Sequence, residues 1–185
     1  MRFYTVDNNY VKQLHTIDSE VFYEPVNYDT KPYIGIIIQN GNYPYFIPLS
    51  SAKPKHIKWA NVTKTNYLIY EMLPRDFTPI PTNWIYSTNQ NGIKHLLAVL
   101  EIKKMIPVPS QYYTPINFSQ ISDTDYRALL QKEYKFLKPL ENSIEKKANE
   151  LYTRQKQTGI IIPFACDYAK LEKVYLENVK TTITV

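Results

Sequence analysis

The first half of the chain consists of short apolar, β-branched segments separated by turn residues, a pattern typical of β-strands. The most apolar of them, residues 33–39, is followed by Asn40 and Gly41, which both tolerate the positive φ angles of a hairpin turn. Residues 43–48 would return as the partner strand, with Pro44 at an edge or a bulge. The other predicted strands are residues 2–6, 67–73, 83–87 and 96–102.

In the second half, apolar residues recur every three or four positions, which predicts three amphipathic helices packed against the sheet. Ser122 or Asp123 would cap the first helix, and Pro139 would end it and begin the second. Gly159 suits the end of the second helix, and Asp167 suits the start of the third. Further predicted elements are one or two helical turns over residues 8–14, capped by Asn8, and an extended connector over residues 107–120.

These patterns predict a single α+β domain over residues 1–185, mainly β over 1–108 and mainly helical over 121–180. Hydrophobic residues make up 44% and charged residues 21%, which is typical of a globular protein. No apolar run approaches the roughly 18 residues that a membrane span needs, and residues 1–7 lack the apolar stretch of a signal peptide. We therefore expect a cytoplasmic protein. Cys166 is the only cysteine and the three histidines lack metal-ligand spacing, so we expect neither a metal nor another cofactor.

Positive charge is concentrated in one window of the sequence. The chain has 22 Lys and Arg against 17 Asp and Glu, a net charge of +5. Residues 31–70 contain five lysines and no acidic residue, so this window alone accounts for the net charge of +5. Such a stretch is consistent with an anionic partner such as nucleic acid. The lysines of this window are Lys31, Lys53, Lys55, Lys58 and Lys64.

Residues 48–56 form a loop rich in groups that suit a phosphodiester. Ser50 and Ser51 can donate hydrogen bonds to phosphate oxygens, and Lys53 can neutralise them. His56 can act as acid or base near neutral pH without tuning. The predicted hairpin would bring Lys31 beside the two serines, where crowded cations would lower its pKa. Because the 2′-OH of RNA is itself a nucleophile, such a set could cut RNA without a metal; a solvated surface turn has the same composition.

Three segments of the chain resemble the ToxN/AbiQ family of endoribonuclease toxins from type III toxin–antitoxin systems: residues 31–36, 45–56 and 104–108. The resemblance implies a strongly twisted antiparallel β-sheet, barrel-like as in the Kid/MazF toxins, with helices packed around it. It implies metal-independent, sequence-selective cleavage of cellular and phage RNA that leaves a 2′,3′-cyclic phosphate. It also implies abortive infection of phage-infected cells, and inhibition by a repeated pseudoknot RNA antitoxin that the toxin processes and binds as a hetero-oligomer.

Tyr28, three residues before Lys31, could donate its phenol to the same phosphate or stack on a base. The residues that the resemblance implies for the catalytic site match this set found from chemistry. The lysines outside the catalytic set are candidates for RNA binding, together with basic residues on or after the second long helix. The candidate catalytic residues are Ser51, Lys31, Lys53, Ser50, Tyr28 and His56, and the candidate RNA-binding residues are Lys55, Lys58, Lys64, Lys146 and Lys147, with Arg154 and Lys156 nearby.

Two other functions fit the same residues. In a non-catalytic RNA-binding module, the lysines would only hold phosphates. In a protein-interaction domain, the basic window would bind an acidic protein. Cleavage of RNA in the presence of EDTA distinguishes the first alternative, and salt-sensitive co-purification of RNA would argue against the second.

Overall fold

A computed structural model describes residues 1–25, 31–37, 43–77 and 85–183 of the chain. Within these ranges, eight strands form one antiparallel sheet with four α-helices around it, which confirms the predicted α+β class. The strands are β1 Phe3–Val6, β2 Tyr33–Ile37, β3 Pro44–Ser51, β4 Asn66–Leu73, β5 Ile85–Asn89, β6 Gly92–Glu101, β7 Ile106–Pro107 and β8 Tyr113–Pro115. The helices are α1 Asn8–Ile17, α2 Thr124–Leu137, α3 Glu141–Thr158 and α4 Tyr168–Ile183.

The strand order is β4-β6-β3-β2-β1-β8, with β5 added to β6 and β7 added to β3. Strand β3 changes partner along its length, because Pro44–Pro48 pairs with β2 and Leu49–Ser51 pairs with β6. Strand β4 pairs along one edge of β6, and β5 and the end of β3 share the opposite edge of β6. The end of β3 therefore lies where the two parts of the sheet meet.

Tyrosines fill much of the core. Tyr10, Tyr33 and Tyr45 are among the largest fully buried side chains. A buried phenol needs a hydrogen-bond acceptor, and Glu172 accepts from Tyr45 at 2.9 Å and from Tyr152 at 2.7 Å. These contacts tie β3 to α3 and α4.

The predicted helix boundaries in the second half are confirmed. The Asp123 carboxylate accepts from the Tyr126 amide at 2.9 Å at the start of α2, and Gly159 ends α3 with φ of 67°. Asp167 accepts from the Lys170 amide at the start of α4. None of the helices in the described ranges is long and apolar enough to cross a membrane.

Three predictions of local structure need correction. Asp7, not Asn8, caps α1, because its carboxylate accepts from the Tyr10 amide. Strand β3 runs to Ser51 rather than ending at Pro48, because the edge of β6 continues its pairing. The connector over residues 107–120 includes β8, which pairs with β1. The predicted Asn40–Gly41 turn lies outside the described residues.

Candidate active site at the end of strand β3

Lys31 and Ser50 are in direct contact, as predicted. The pairing of β2 with β3 continues to the Leu49 amide, which donates to the Pro32 carbonyl at 2.9 Å. This pairing places Lys31 beside the end of strand β3, and the Lys31 Nζ donates to the Ser50 Oγ at 3.3 Å. An ammonium and a hydroxyl 19 positions apart in sequence thus form one polar site.

Burial of Lys31 favours its neutral form. The Phe22 ring, whose centroid lies 3.0 Å from Nζ, opposes this effect, because the face of an aromatic ring attracts an ammonium. Burial lowers the pKa of Lys31 to about 7; Glu24 and Glu101 oppose this shift and Lys53 reinforces it. A lysine with such a pKa is a competent proton acceptor near neutral pH, which an ordinary lysine is not.

The two serines point to opposite faces of the sheet. Ser50 is paired with Val99 and Ser51 with Ala98, and successive side chains of a strand alternate between faces. Ser50 is half-buried beside Lys31, whereas Ser51 is exposed and lines a cleft of about 720 Å³ between the sheet and α2. The sequence did not predict these opposite orientations, because its pattern placed both serines in a loop.

His56 is an internal support of the turn that follows β3. Residues Pro54–Lys58 form a 3₁₀ helix in which His56 is buried, with 4% of its surface exposed. The centroids of the His56 and Trp59 rings lie 4.5 Å apart. The Lys53 amide donates to His56 Nδ1 at 3.0 Å, so neutral His56 carries its proton on Nε2. Burial and the Lys55 ammonium lower the pKa of His56, so it is neutral at pH 7. This arrangement holds the turn that exposes Lys53.

The candidate RNA-binding lysines fall into two groups. Lys147 is engaged within the protein, because its Nζ donates to the Thr63 carbonyl and lies 4.7 Å from the centroid of the Tyr67 ring. Lys156 is likewise paired, with Glu172 at 2.6 Å. The exposed candidates are Lys55, Lys58, Lys64 and Lys146. Lys146 and Arg154 lie on one face of α3, which also carries Glu145 and Glu150.

A polar cluster on the cleft escaped the sequence analysis. Glu71 on β4 lies 2.9 Å from His95 Nδ1 on β6 and 2.8 Å from Lys132 Nζ on α2. Burial opposes ionisation of Glu71, but hydrogen bonds from Lys132 and His95 outweigh it and lower the pKa of the carboxyl. These residues come from three elements with no shared spacing, so no sequence signal pointed to them. Tyr28 lies outside the described residues, and within those residues no His, Cys, Asp or Glu cluster could hold a metal ion.

Comparison with known proteins decides the family. A sequence model described as toxin ToxN of type III toxin–antitoxin systems matches residues 2–176. The chain belongs to the ToxN toxin family. That match confirms the resemblance noted for residues 31–36, 45–56 and 104–108, and it spans both the sheet and the helical half.

Individual members of the ToxN family match the chain over nearly its whole length. Endoribonuclease AbiQ of Lactococcus lactis subsp. lactis is 26% identical, over 98% of this chain and 92% of its own length. Endoribonuclease ToxN of Pectobacterium atrosepticum is 24% identical, over 95% of this chain and 92% of its own length. Endoribonuclease ToxN of Bacillus thuringiensis subsp. kurstaki is 23% identical, over 93% of this chain and 81% of its own length.

Solved structures of ToxN-type proteins share the fold. A structure of AbiQ, a lactococcal anti-phage endoribonuclease, superposes with a TM-score of 0.69 at 25% identity, over 96% of this chain and 97% of that one. A chain from a type III system whose toxin is inhibited by a non-coding RNA pseudoknot gives a TM-score of 0.71 at 22% identity, over 96% of each chain.

Proposed function

We propose that this protein is a sequence-selective endoribonuclease that cuts RNA by attack of the 2′-OH on the neighbouring phosphate. The products would be a 2′,3′-cyclic phosphate and a free 5′-OH, and no metal would be required. The contact between Lys31 and Ser50 at the end of β3, with the pKa of Lys31 near 7, carries the proposal. Family membership and the names of the relatives support it.

In the proposed reaction, neutral Lys31 takes the proton of the 2′-OH as that oxygen bonds to phosphorus. The bond from phosphorus to the 5′-oxygen breaks, and the leaving oxygen must receive a proton. We assign that role to the exposed ammonium of Lys53, which follows the strand by two residues. We place the phosphate across the edge of β3 opposite β6, on the side of Lys31. There Ser50 donates to one non-bridging oxygen from one face of the strand and Ser51 donates to the other from the opposite face, and both oxygens gain negative charge in the transition state.

The two remaining catalytic candidates have different roles in this proposal. His56 is a positioning residue, because its buried ring accepts from the Lys53 amide and so holds the backbone that presents Lys53. Tyr28 precedes Lys31 by three positions and stays a candidate for donating to the same phosphate or stacking on a base.

We further propose that a repeated pseudoknot RNA inhibits the toxin and is processed by it, as part of an antiviral abortive-infection system. A relative structure involves toxin inhibition by a non-coding RNA pseudoknot, and another concerns a processed non-coding RNA that regulates an antiviral system. Beyond the active site, the exposed face of α3 carries Lys146 and Arg154 beside Glu145 and Glu150, and its two basic side chains are the candidate phosphate contacts. Folded RNA binds such surfaces through its phosphates.

The function is tested by incubating the purified protein with total RNA in excess EDTA and mapping both new ends. We expect fragments with 2′,3′-cyclic phosphate and 5′-OH ends, and no fragments with a Lys31→Ala variant that melts at the wild-type temperature. RNA that is bound but left intact would support the non-catalytic RNA-binding module instead. Cleavage that stops in EDTA would contradict the metal-free mechanism.

A further inference from the structure

The cleft that Ser51 shares with α2 has the size and lining of a small-molecule site. Its volume of about 720 Å³ falls within the roughly 300–1,000 Å³ typical of ligand pockets. The end of β3, the start of β5 and the middle of β6 form one wall, and α2 forms the other. The helix contributes an exposed stripe of Asp125, Ala128 and Lys132, which recur at positions three and four apart on one face.

The lining is mainly apolar and has little net charge. Ile85, Leu96, Leu97 and Leu129 provide much of the apolar surface. The Lys132 ammonium is already neutralised by Glu71, which His95 also contacts. Such a cleft offers little attraction to a phosphate and suits a flat, largely apolar group with a polar edge.

Two lining residues match the way proteins hold an unstacked base. Tyr126 is one of the lining residues, and an aromatic side chain at this place is a group on which a base can stack. The Asp125 carboxylate can only accept hydrogen bonds, so it would select a base edge that presents N–H groups. Single-stranded RNA is recognised mainly through such splayed-out bases.

We propose that this cleft binds the base of a nucleotide next to the scissile phosphate and so sets the sequence preference of cleavage. Ser51 connects the two sites, because it lies at the strand edge where we place the phosphate and also lines the cleft on the face opposite Ser50. The inference rests on the proposed function, since the cleft can set a cleavage preference only if the protein cuts RNA at a phosphate held by Ser51.

The test compares cleavage of a random-sequence RNA pool by the wild type and three variants, with the cut ends sequenced. Ala128→Phe fills the cleft from an exposed helix position. Asp125→Asn keeps the shape of the side chain but replaces an acceptor with a donor. Gln131→Phe is the matched control, because Gln131 is exposed on the same helix and does not line the cleft. Thermal melting reports whether each variant is folded.

We expect Ala128→Phe and Asp125→Asn to change the relative rates among bases at one position flanking the cut by roughly tenfold to 200-fold. Gln131→Phe should reproduce the wild-type preference. The inference is overturned if the wild type cuts without base preference, or if the folded Ala128→Phe or Asp125→Asn variant keeps the preference of the wild type. A wild type that makes no cuts overturns the proposed function instead, so the two failures are distinct.

Discussion

The pH dependence of cleavage tests the role of Lys31 most directly. With a pKa of about 7, about 9% of Lys31 is neutral at about pH 6 and about 91% at about pH 8. If neutral Lys31 is the base, the rate of the chemical step should rise about tenfold over this range and then level off. A lysine with its ordinary pKa near ~10.5 would give a rise of about 100-fold with no plateau.

Two substitutions should move the midpoint of that profile in opposite directions. The Glu101 charge raises the pKa of Lys31, so Glu101→Gln should shift the midpoint toward acid. The Lys53 charge lowers it, so Lys53→Gln should shift the midpoint toward alkali, besides reducing the rate. Lys58→Gln is the control, because it removes an equal charge from the same basic segment and Lys58 is not among the charges that set this pKa.

The assay is single-turnover cleavage of a labelled RNA at saturating protein, from about pH 5.5 to about pH 9, so that the chemical step is followed rather than binding or product release. A rate that climbs about 100-fold without a plateau would refute the assignment of Lys31 as a base with a lowered pKa. So would one midpoint shared by the wild type, the Glu101→Gln variant and the Lys53→Gln variant.

Three further predictions follow from other contacts. Ser51→Ala should lower the single-turnover rate on the order of 10²–10³-fold with an unchanged melting temperature, since it removes one donor to the transition state; wild-type growth arrest in cells would contradict this. Lys146→Glu should weaken antitoxin affinity and flatten its salt dependence. Lys147→Glu should mainly lower the melting temperature, because Lys147 donates to the Thr63 carbonyl. Equal effects of the two changes on affinity would contradict the assignment of Lys146 to RNA binding and Lys147 to the fold. Glu172→Leu should cost about 2–5 kcal/mol of unfolding free energy in urea, because buried tyrosine hydroxyls lose their acceptor.

Local sequence signals predicted much of the helical half and part of the site. Caps such as Asp123 and Gly159 act within a few residues, so their effect on the chain can be read without knowing its tertiary contacts. The contact of Lys31 with Ser50 was equally accessible, because antiparallel pairing of two neighbouring strands fixes which residues meet at their ends.

The parts that escaped prediction depend on distant segments. Nothing near Pro48 indicates that β3 continues to Ser51, because the partner that extends it is β6, about 50 positions away. For the same reason, the opposite orientations of Ser50 and Ser51 could not be foreseen. The contact of Glu71 with Lys132 joins a strand to a helix 61 positions later, and only the packed fold brings them together.

The change of partner within β3 has an evolutionary consequence. Pairing with β2 on one side and β6 on the other fixes the register of Ser50 and Ser51, and a one-residue slip would exchange their faces. Natural homologues should therefore differ freely in the length of the segment that joins β2 to β3. Between Pro44 and Ser51, in contrast, they should keep a constant number of residues, because one insertion there would separate the hydroxyl from Lys31 and silence the toxin in a single step.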